Sequence, residues 1–395
     1  MRLTHRDGST VHLAYCTNVH PAETLAGITA QLDDHAVRIR SELAAPRLGV
    51  GLWLPAAAAA ELAADEAAVK RLRGELTDRG LETVTLNGFP YGGFHDPVVK
   101  HAVYHPDWSE PARLDYTLNL ARVLAALLPD DAARGSISTL PLGWRHTAAE
   151  PWTPNRWRAA QRQLHALTTG LKQIEADTGR TIRVAFEPEP GCAAETLGQA
   201  AELLVGTDPG YLGLCVDTCH LAVANEEPAP AIAYLRSRGV PVVKLQASAA
   251  LQADHPAEPA VRTALESFVE PRFLHQTKES REPGRITAAA DDLDEALAGK
   301  LPGEAPWRVH YHVPLHREPE PPLRSTRPVL RETLRALYDD EHPVCDHLEV
   351  ETYTWSVLPE AHRPGTAGEL AAGIAAELSW TAAELTALGL RQESE

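Results

Sequence analysis

Short apolar runs alternate along the chain with longer stretches in which apolar residues recur three or four positions apart. The runs are residues 11–16, 48–54, 81–86, 136–140, 182–186, 212–216, 241–245, 308–313 and 347–350. Their brevity and β-branched content predict strands. The stretches between them, at 24–43, 56–79, 110–128, 155–178, 193–204, 228–237, 261–268 and 326–337, carry helical periodicity. In the fourth of these, Leu164, Leu167, Leu171 and Ile174 fall on one face.

Strands that alternate with helices predict a parallel sheet with helical crossovers. The number of units is that of a closed (β/α)8 TIM barrel with one strand to spare. The surplus strand is 241–245 or 308–313. The polar, proline-bearing stretch at about 250–306 reads as an insertion over the barrel mouth. The expected organisation is one barrel domain over 1–360, followed by a C-terminal helical extension over 361–395.

Composition narrows the function classes. The chain has 395 residues, 44% of them hydrophobic, and a formal charge of -17. So acidic a chain lacks the basic footprint that nucleic acid or an anionic membrane demands. Neither nucleic acid nor a bilayer is an expected partner. No secretory signal is visible, and no apolar stretch reaches the roughly 18–20 residues that span a bilayer. The five cysteines, Cys16, Cys192, Cys215, Cys219 and Cys345, are odd in number and read as reduced thiols of a cytoplasmic protein. No dinucleotide fingerprint, phosphate loop or serine elbow follows a predicted strand, which disfavours nucleotide cofactors and serine hydrolysis.

Candidate chemistry sits where apolar runs end. Val184-Ala185-Phe186 runs into Glu187, Leu214-Cys215-Val216 into Asp217, and Leu348-Glu349-Val350 into Glu351. All strand C-termini of a parallel barrel open on one face, so these carboxylates converge on one cavity. Carboxylates that close resist ionisation, and a divalent cation removes the penalty. Together with an imidazole they suit Mn²⁺, Mg²⁺, Co²⁺ or Zn²⁺. Taken singly, each has a plainer reading; Asp217 before Thr218 could be a helix cap.

Other residues are candidates around this cavity. Glu189 is a substrate contact or a solvated loop residue. His220, three positions after Asp217, is a substrate contact or a cap. His310 and His312 share a strand face, and His312 stands nearer the strand end. Gln246 and Lys244 also share a face; the amide orients hydroxyls, and the ammonium neutralises an oxyanion or pairs with a carboxylate. His20 and Asn18 follow the first strand. The loop at 87–95, NGFPYGGFH, offers aromatics to wall a pocket, and His275 belongs to the insertion.

With Glu187, Asp217-x-x-His220 and Glu351, the chain resembles the sugar isomerase/epimerase and endonuclease IV superfamily, the xylose-isomerase-like barrels. That resemblance implies one metal held by Glu187, Asp217 and Glu351, with His220 contacting substrate. It also implies a histidine ligand on the seventh strand, where this chain has Val243-Lys244-Leu245-Gln246. Gln246 replaces that ligand, or His312 supplies it.

Four longer segments, 14–21 (AYCTNVHP), 135–144 (GSISTLPLGW), 187–192 (EPEPGC) and 349–355 (EVETYTW), resemble the metabolite traffic protein EboE family. Its members are TIM-barrel proteins similar to sugar phosphate isomerases. This resemblance implies the handling or export of a small metabolite alongside membrane-associated partner proteins.

Two functions are therefore expected to compete. One is a metal-dependent isomerase or epimerase in which Glu187 and Glu351 exchange protons across an oxygenated substrate. The other is a non-catalytic carrier that keeps the cavity for binding.

Overall fold

Eight of the nine predicted strands lie side by side in parallel, and the first also pairs with the last. The computed structural model describes residues 1–132 and 134–393. Residue 133 and the last two positions of the predicted extension, 394 and 395, lie outside the described residues. The barrel strands are β1 (Thr10–Cys16), β2 (Leu48–Trp53), β3 (Thr85–Asn87), β4 (Arg134–Thr139), β5 (Thr181–Phe186), β6 (Leu212–Asp217), β7 (Val242–Ala247) and β8 (His347–Val350). Each pairs in parallel with its neighbours. The sheet therefore closes into the expected barrel.

The surplus strand is resolved in favour of β7. Its rival shortens to Trp307–Val309 and joins a separate five-stranded antiparallel sheet with Leu251–Ala253, Thr277–Glu282, Arg285–Ala290 and Arg324–Ser325. The insertion thus runs past its expected end at 306. Trp307 and Val309 are buried in the described fold, so their apolarity serves the insertion's own packing and not the barrel wall.

The helices follow their periodicity with one division. The stretch predicted at 56–79 forms Ala56–Ala64 and Glu66–Asp78. Asp65 separates them in an extended conformation, and its side chain caps the second helix by accepting from Ala67 N and Ala68 N. The C-terminal helix Ala367–Ala387 starts at a capping box of Thr366 and Glu369. It packs against the helix Val37–Glu42 and against β1, which brings it into the ring around the barrel. Among the described residues no helix is long and apolar enough to cross a membrane. All five cysteines are buried and free.

Leucine, valine and alanine fill the layer between strands and helices. The barrel interior is polar. Lys244 on β7 and Glu349 on β8 are wholly buried there as an ion pair of 2.5 Å. Room for it comes from β2, where a Cβ on Gly51 would fall 1.4 Å from Glu349 Oε1. Only a residue without a side chain fits that wall.

Candidate active site

Strand ladders place the three carboxylates. Glu187 follows β5, and its N–H extends the ladder by donating to Thr139 O at 2.9 Å before Pro188 stops the strand. Glu351 follows β8 and donates its N–H to Ala247 O at 3.1 Å. Asp217 closes β6 and caps the helix Thr218–Val223. All three are buried, and oxygens of Glu187, Asp217 and Glu351 lie within 4.8 Å of one another.

Asp217 reconciles its two expected roles. Oδ1 accepts from His220 N at 2.9 Å and from Ser248 Oγ at 2.8 Å. Oδ2 is buried and has no partner. The cap uses one oxygen and leaves the other for a ligand.

Neutral amides hold the two glutamates. Gln246 Nε2 donates to Glu187 Oε2 at 2.7 Å. Asn18 Nδ2 and Asn87 Nδ2 donate to Glu351 Oε1 at 2.7 and 2.9 Å. Amides orient a carboxylate without neutralising it. Burial, and next the Asp217 charge, push Glu187 well above the usual carboxylate range. Burial, and then Glu187 and Asp217, do the same to Glu351.

His312 completes a ligand set. Its Nδ1 donates to Glu351 O at 2.7 Å; because a carbonyl only accepts, that nitrogen carries the proton. Nε2 therefore bears a lone pair, and it is buried without a partner. Ligand atoms of Asp217, His220 and His312 also lie within 4.8 Å of one another. Gln246 Oε1 is a further buried atom without a partner. These orphaned acceptors beside three crowded carboxylates are what a divalent cation fits.

Two more histidines flank this set. His220 Nδ1 donates to Pro188 O at 3.0 Å, and His310 Nδ1 donates to Gln276 Oε1 at 2.6 Å. Gln276 is oriented by its own donation to Pro190 O at 2.9 Å. The two Nε2 atoms consequently face each other at 3.0 Å, a spacing that needs a proton or a cation between them. Burial lowers His220 to about 4 against the opposing pull of Asp217. Glu189 accepts from Tyr104 Oη at 2.7 Å, and burial raises it to about 8.

Not every predicted residue joins this site. His20 turns away from it: its ring stacks on His35 at 4.0 Å, and Nε2 lies 3.3 Å from Tyr15 Oη. It lines a separate small cavity of about 270 Å³. Asn18, inside the turn Thr17–Val19, points inward, and His20, directly after it, does not. Lys244, two residues before Gln246 on β7, pairs with the Glu349 carboxylate, the second of its two expected roles. His310 and His312 belong to no barrel strand; they follow Trp307–Val309 in an irregular segment. His275 is structural, bonded to His310 O at 2.8 Å and Glu270 Oε1 at 2.8 Å. Asn87 and Tyr104 were not among the expected site residues. Asn87 ends β3 as the carboxylates end theirs, a signal hidden by the glycines that follow.

Glu187, Glu189, His220, Gln246, His310 and Glu351 line one cavity.

Residues 49–259, more than half of the chain, match the family model of the xylose isomerase-like TIM barrel. No curated protein matches the chain. Solved structures do. A candidate sugar phosphate isomerase/epimerase from Anabaena variabilis is 14% identical with a TM-score of 0.52, covering 96% of this chain and 100% of its own. A xylose isomerase-like TIM barrel protein from Mycobacterium smegmatis, in complex with magnesium, is 12% identical with a TM-score of 0.52, covering 95% and 98%. D-psicose 3-epimerase from Clostridium cellulolyticum, with D-tagatose, is 10% identical with a TM-score of 0.51, covering 95% and 99%. At such identities the likeness speaks for the fold and leaves the chemistry to the site.

Proposed function

The chain belongs to the xylose isomerase-like TIM barrel family, and on that premise we propose that it is a divalent-metal-dependent isomerase or epimerase of a small oxygenated metabolite. One observation carries the reading: Glu187, Asp217 and Glu351 meet in a buried site with their oxygens within 4.8 Å of one another. Among the described residues no lysine or arginine pairs with any of them. Three negative charges so placed do not coexist without a cation.

The ligands would be Glu187, Asp217, Glu351 and His312 through Nε2, with Gln246 Oε1 at hand. A bound cation of this kind supplies Lewis acidity toward a carbonyl or hydroxyl oxygen. The chain's own residues move the proton. The amides occupy Glu187 Oε2 and Glu351 Oε1, so Glu187 Oε1 and Glu351 Oε2 are free to accept and return it at a carbon next to a carbonyl. His220 and Glu189 bind and orient hydroxyls in the same cavity.

The test joins metal analysis to proton exchange. Purified protein should take up stoichiometric Mn²⁺ and catalyse exchange of the α-protons of hydroxyacetone in D₂O, followed by NMR. Glu351→Gln should abolish the exchange while circular dichroism is unchanged. Exchange undiminished in that variant would refute the assignment.

A second reading is favoured by the amide of Gln246, which stands where the resemblance places an imidazole. In it the barrel binds a metabolite without converting it, as a cytoplasmic component of a metabolite traffic assembly with membrane-associated partners. Protein that binds no Mn²⁺ and exchanges no proton would support this carrier.

A further inference from the structure

We infer that the cavity takes an uncharged substrate whose chelating oxygens, as in a hydroxyketone, sit on an apolar body, and that it rejects phosphorylated sugars. This deepens the proposed function and rests on it for the position of the oxygens.

The cavity is divided by chemistry. It holds the carboxylates, amides and histidines. Beside them it is lined by Phe94, Phe273 and Tyr353, the last with its ring 4.6 Å from that of His312. These rings come from the loop after β3, the insertion and the turn after β8. They contact one another at centroid distances of 5.1, 5.4 and 4.9 Å. With Trp53 and Val99 they form a buried cluster separate from the main core. Ring-to-ring contact holds this wall in place before any ligand arrives.

A polyol chain laid against such a wall would leave its hydroxyls unpaired, a cost that each buried hydroxyl adds. The polar groups nearest the wall already have neighbours, and the hydroxyl of the wall itself, Tyr353 Oη, lies 3.5 Å from His310 Nε2. Tyr104 Oη donates to Glu189 and accepts from Gln276 Nε2 at 3.0 Å. His95 Nε2 lies 2.7 Å from Asn18 O. A flat or aliphatic body meets no such conflict and buries apolar surface on both sides.

A phosphate fares worse than a hydroxyl. Among the described residues lining the cavity, the one lysine or arginine is Lys100. Its ammonium is 2.5 Å from Asp292 Oδ2, so its charge is spent. The remaining ionisable side chains of the lining include the carboxyl groups of Glu187, Glu189 and Glu351, which do not attract a phosphate. Phosphate sites are made of arginines, free lysines or helix N-termini, and this wall presents none of them.

The experiment is calorimetric titration of the full chain, with and without Mn²⁺, using 2-hydroxyacetophenone, hydroxyacetone and dihydroxyacetone phosphate. The phenyl probe should bind roughly 30-fold more tightly than hydroxyacetone, the gain from burying one ring. Dihydroxyacetone phosphate should bind more weakly than either. Phe273→Ala should shrink the phenyl advantage to a few-fold, and Phe273→Leu, which keeps the wall filled, should shrink it less. Equal affinity for the two neutral probes, tighter binding of the phosphate, or no binding of the phenyl probe in either state overturns the inference. Failure of the metal-centred reading shows separately, as absence of Mn²⁺ uptake, and the ratio of the neutral probes in Mn²⁺-free protein still decides this one.

Discussion

The Lys244 ammonium stands 2.5 Å from a Glu349 carboxylate oxygen, with both side chains wholly buried and each two residues before a site residue, Gln246 and Glu351 respectively. Burial pulls the lysine's pKa down, but the Glu349 charge more than restores it and holds Lys244 protonated. Breaking such a pair by removing one partner leaves a bare charge in the barrel. Lys244→Met should therefore lower the unfolding free energy by about 3–5 kcal/mol. The double variant Lys244→Met, Glu349→Leu should regain much of that loss. Urea unfolding of the three proteins checks it, and equal stability of the single and double variants would show the pair to be unimportant.

Two of the histidines that the sequence offered near strand ends, His312 and His20, have opposite placements, and metal titration can separate them. His312 directs a bare Nε2 at the ligand cluster, whereas His20 is stacked on His35. His312→Ala should weaken Mn²⁺ binding by about 100-fold or more, at or beyond the top of the range for loss of a supporting hydrogen bond. His20→Ala should leave it within a factor of two or so. Calorimetric Mn²⁺ titration of both variants gives the answer.

These placements also show what the sequence could and could not disclose. A polar residue that ends an apolar run announces itself, which is why Glu187, Asp217 and Glu351 were readable. Height along the barrel axis is harder to read. Lys244 and Gln246 share a face, yet two residues of rise put one on Glu349 and the other on Glu187. The segment at 308–313 looked like a barrel strand because burial inside the insertion selects the same apolar residues as burial in a barrel wall. Asn87 ends a strand of only three residues, too few for alternation to show, and the glycines after it hide the strand end. The break at Asp65 was invisible because alanine-rich sequence on both sides favours helix and masks the cap between them.

The C-terminal helix reaches the site through one side chain. Glu377 is buried and accepts from Leu315 N at 2.9 Å, Thr352 Oγ1 at 2.6 Å and Trp355 Nε1 at 3.2 Å. Those donors flank His312 and Glu351 in sequence. Glu377→Ala leaves three buried donors unpaired and should cost about 3 kcal/mol or more. It should also weaken Mn²⁺ binding, because the segments carrying both ligands lose their common anchor. Thermal unfolding and Mn²⁺ titration of the variant report the two effects. Intact Mn²⁺ affinity despite the stability loss would confine Glu377 to a packing role.

Acid stability should carry the signature of His347, at the base of β8 and away from the carboxylate cluster. Its Nδ1 lies 2.8 Å from Ser136 Oγ, and its ring meets His12 edge-on at 5.5 Å. Burial, supported by His12 and opposed by Asp346, lowers its pKa from 6.5 to about 4. Between those values the unfolded chain binds a proton that the folded chain refuses. Unfolding free energy therefore rises with pH across this window. The contribution is fully present above about 6.5 and lost as the pH falls to about 4. A displacement of this size corresponds to about 3 kcal/mol. His347→Gln removes the titration, so its stability should fall by about 3 kcal/mol less than that of the parent over the same interval. Urea unfolding of both proteins at several pH values from neutral to mildly acidic tests this, and parallel pH profiles would show that His347 does not control acid stability.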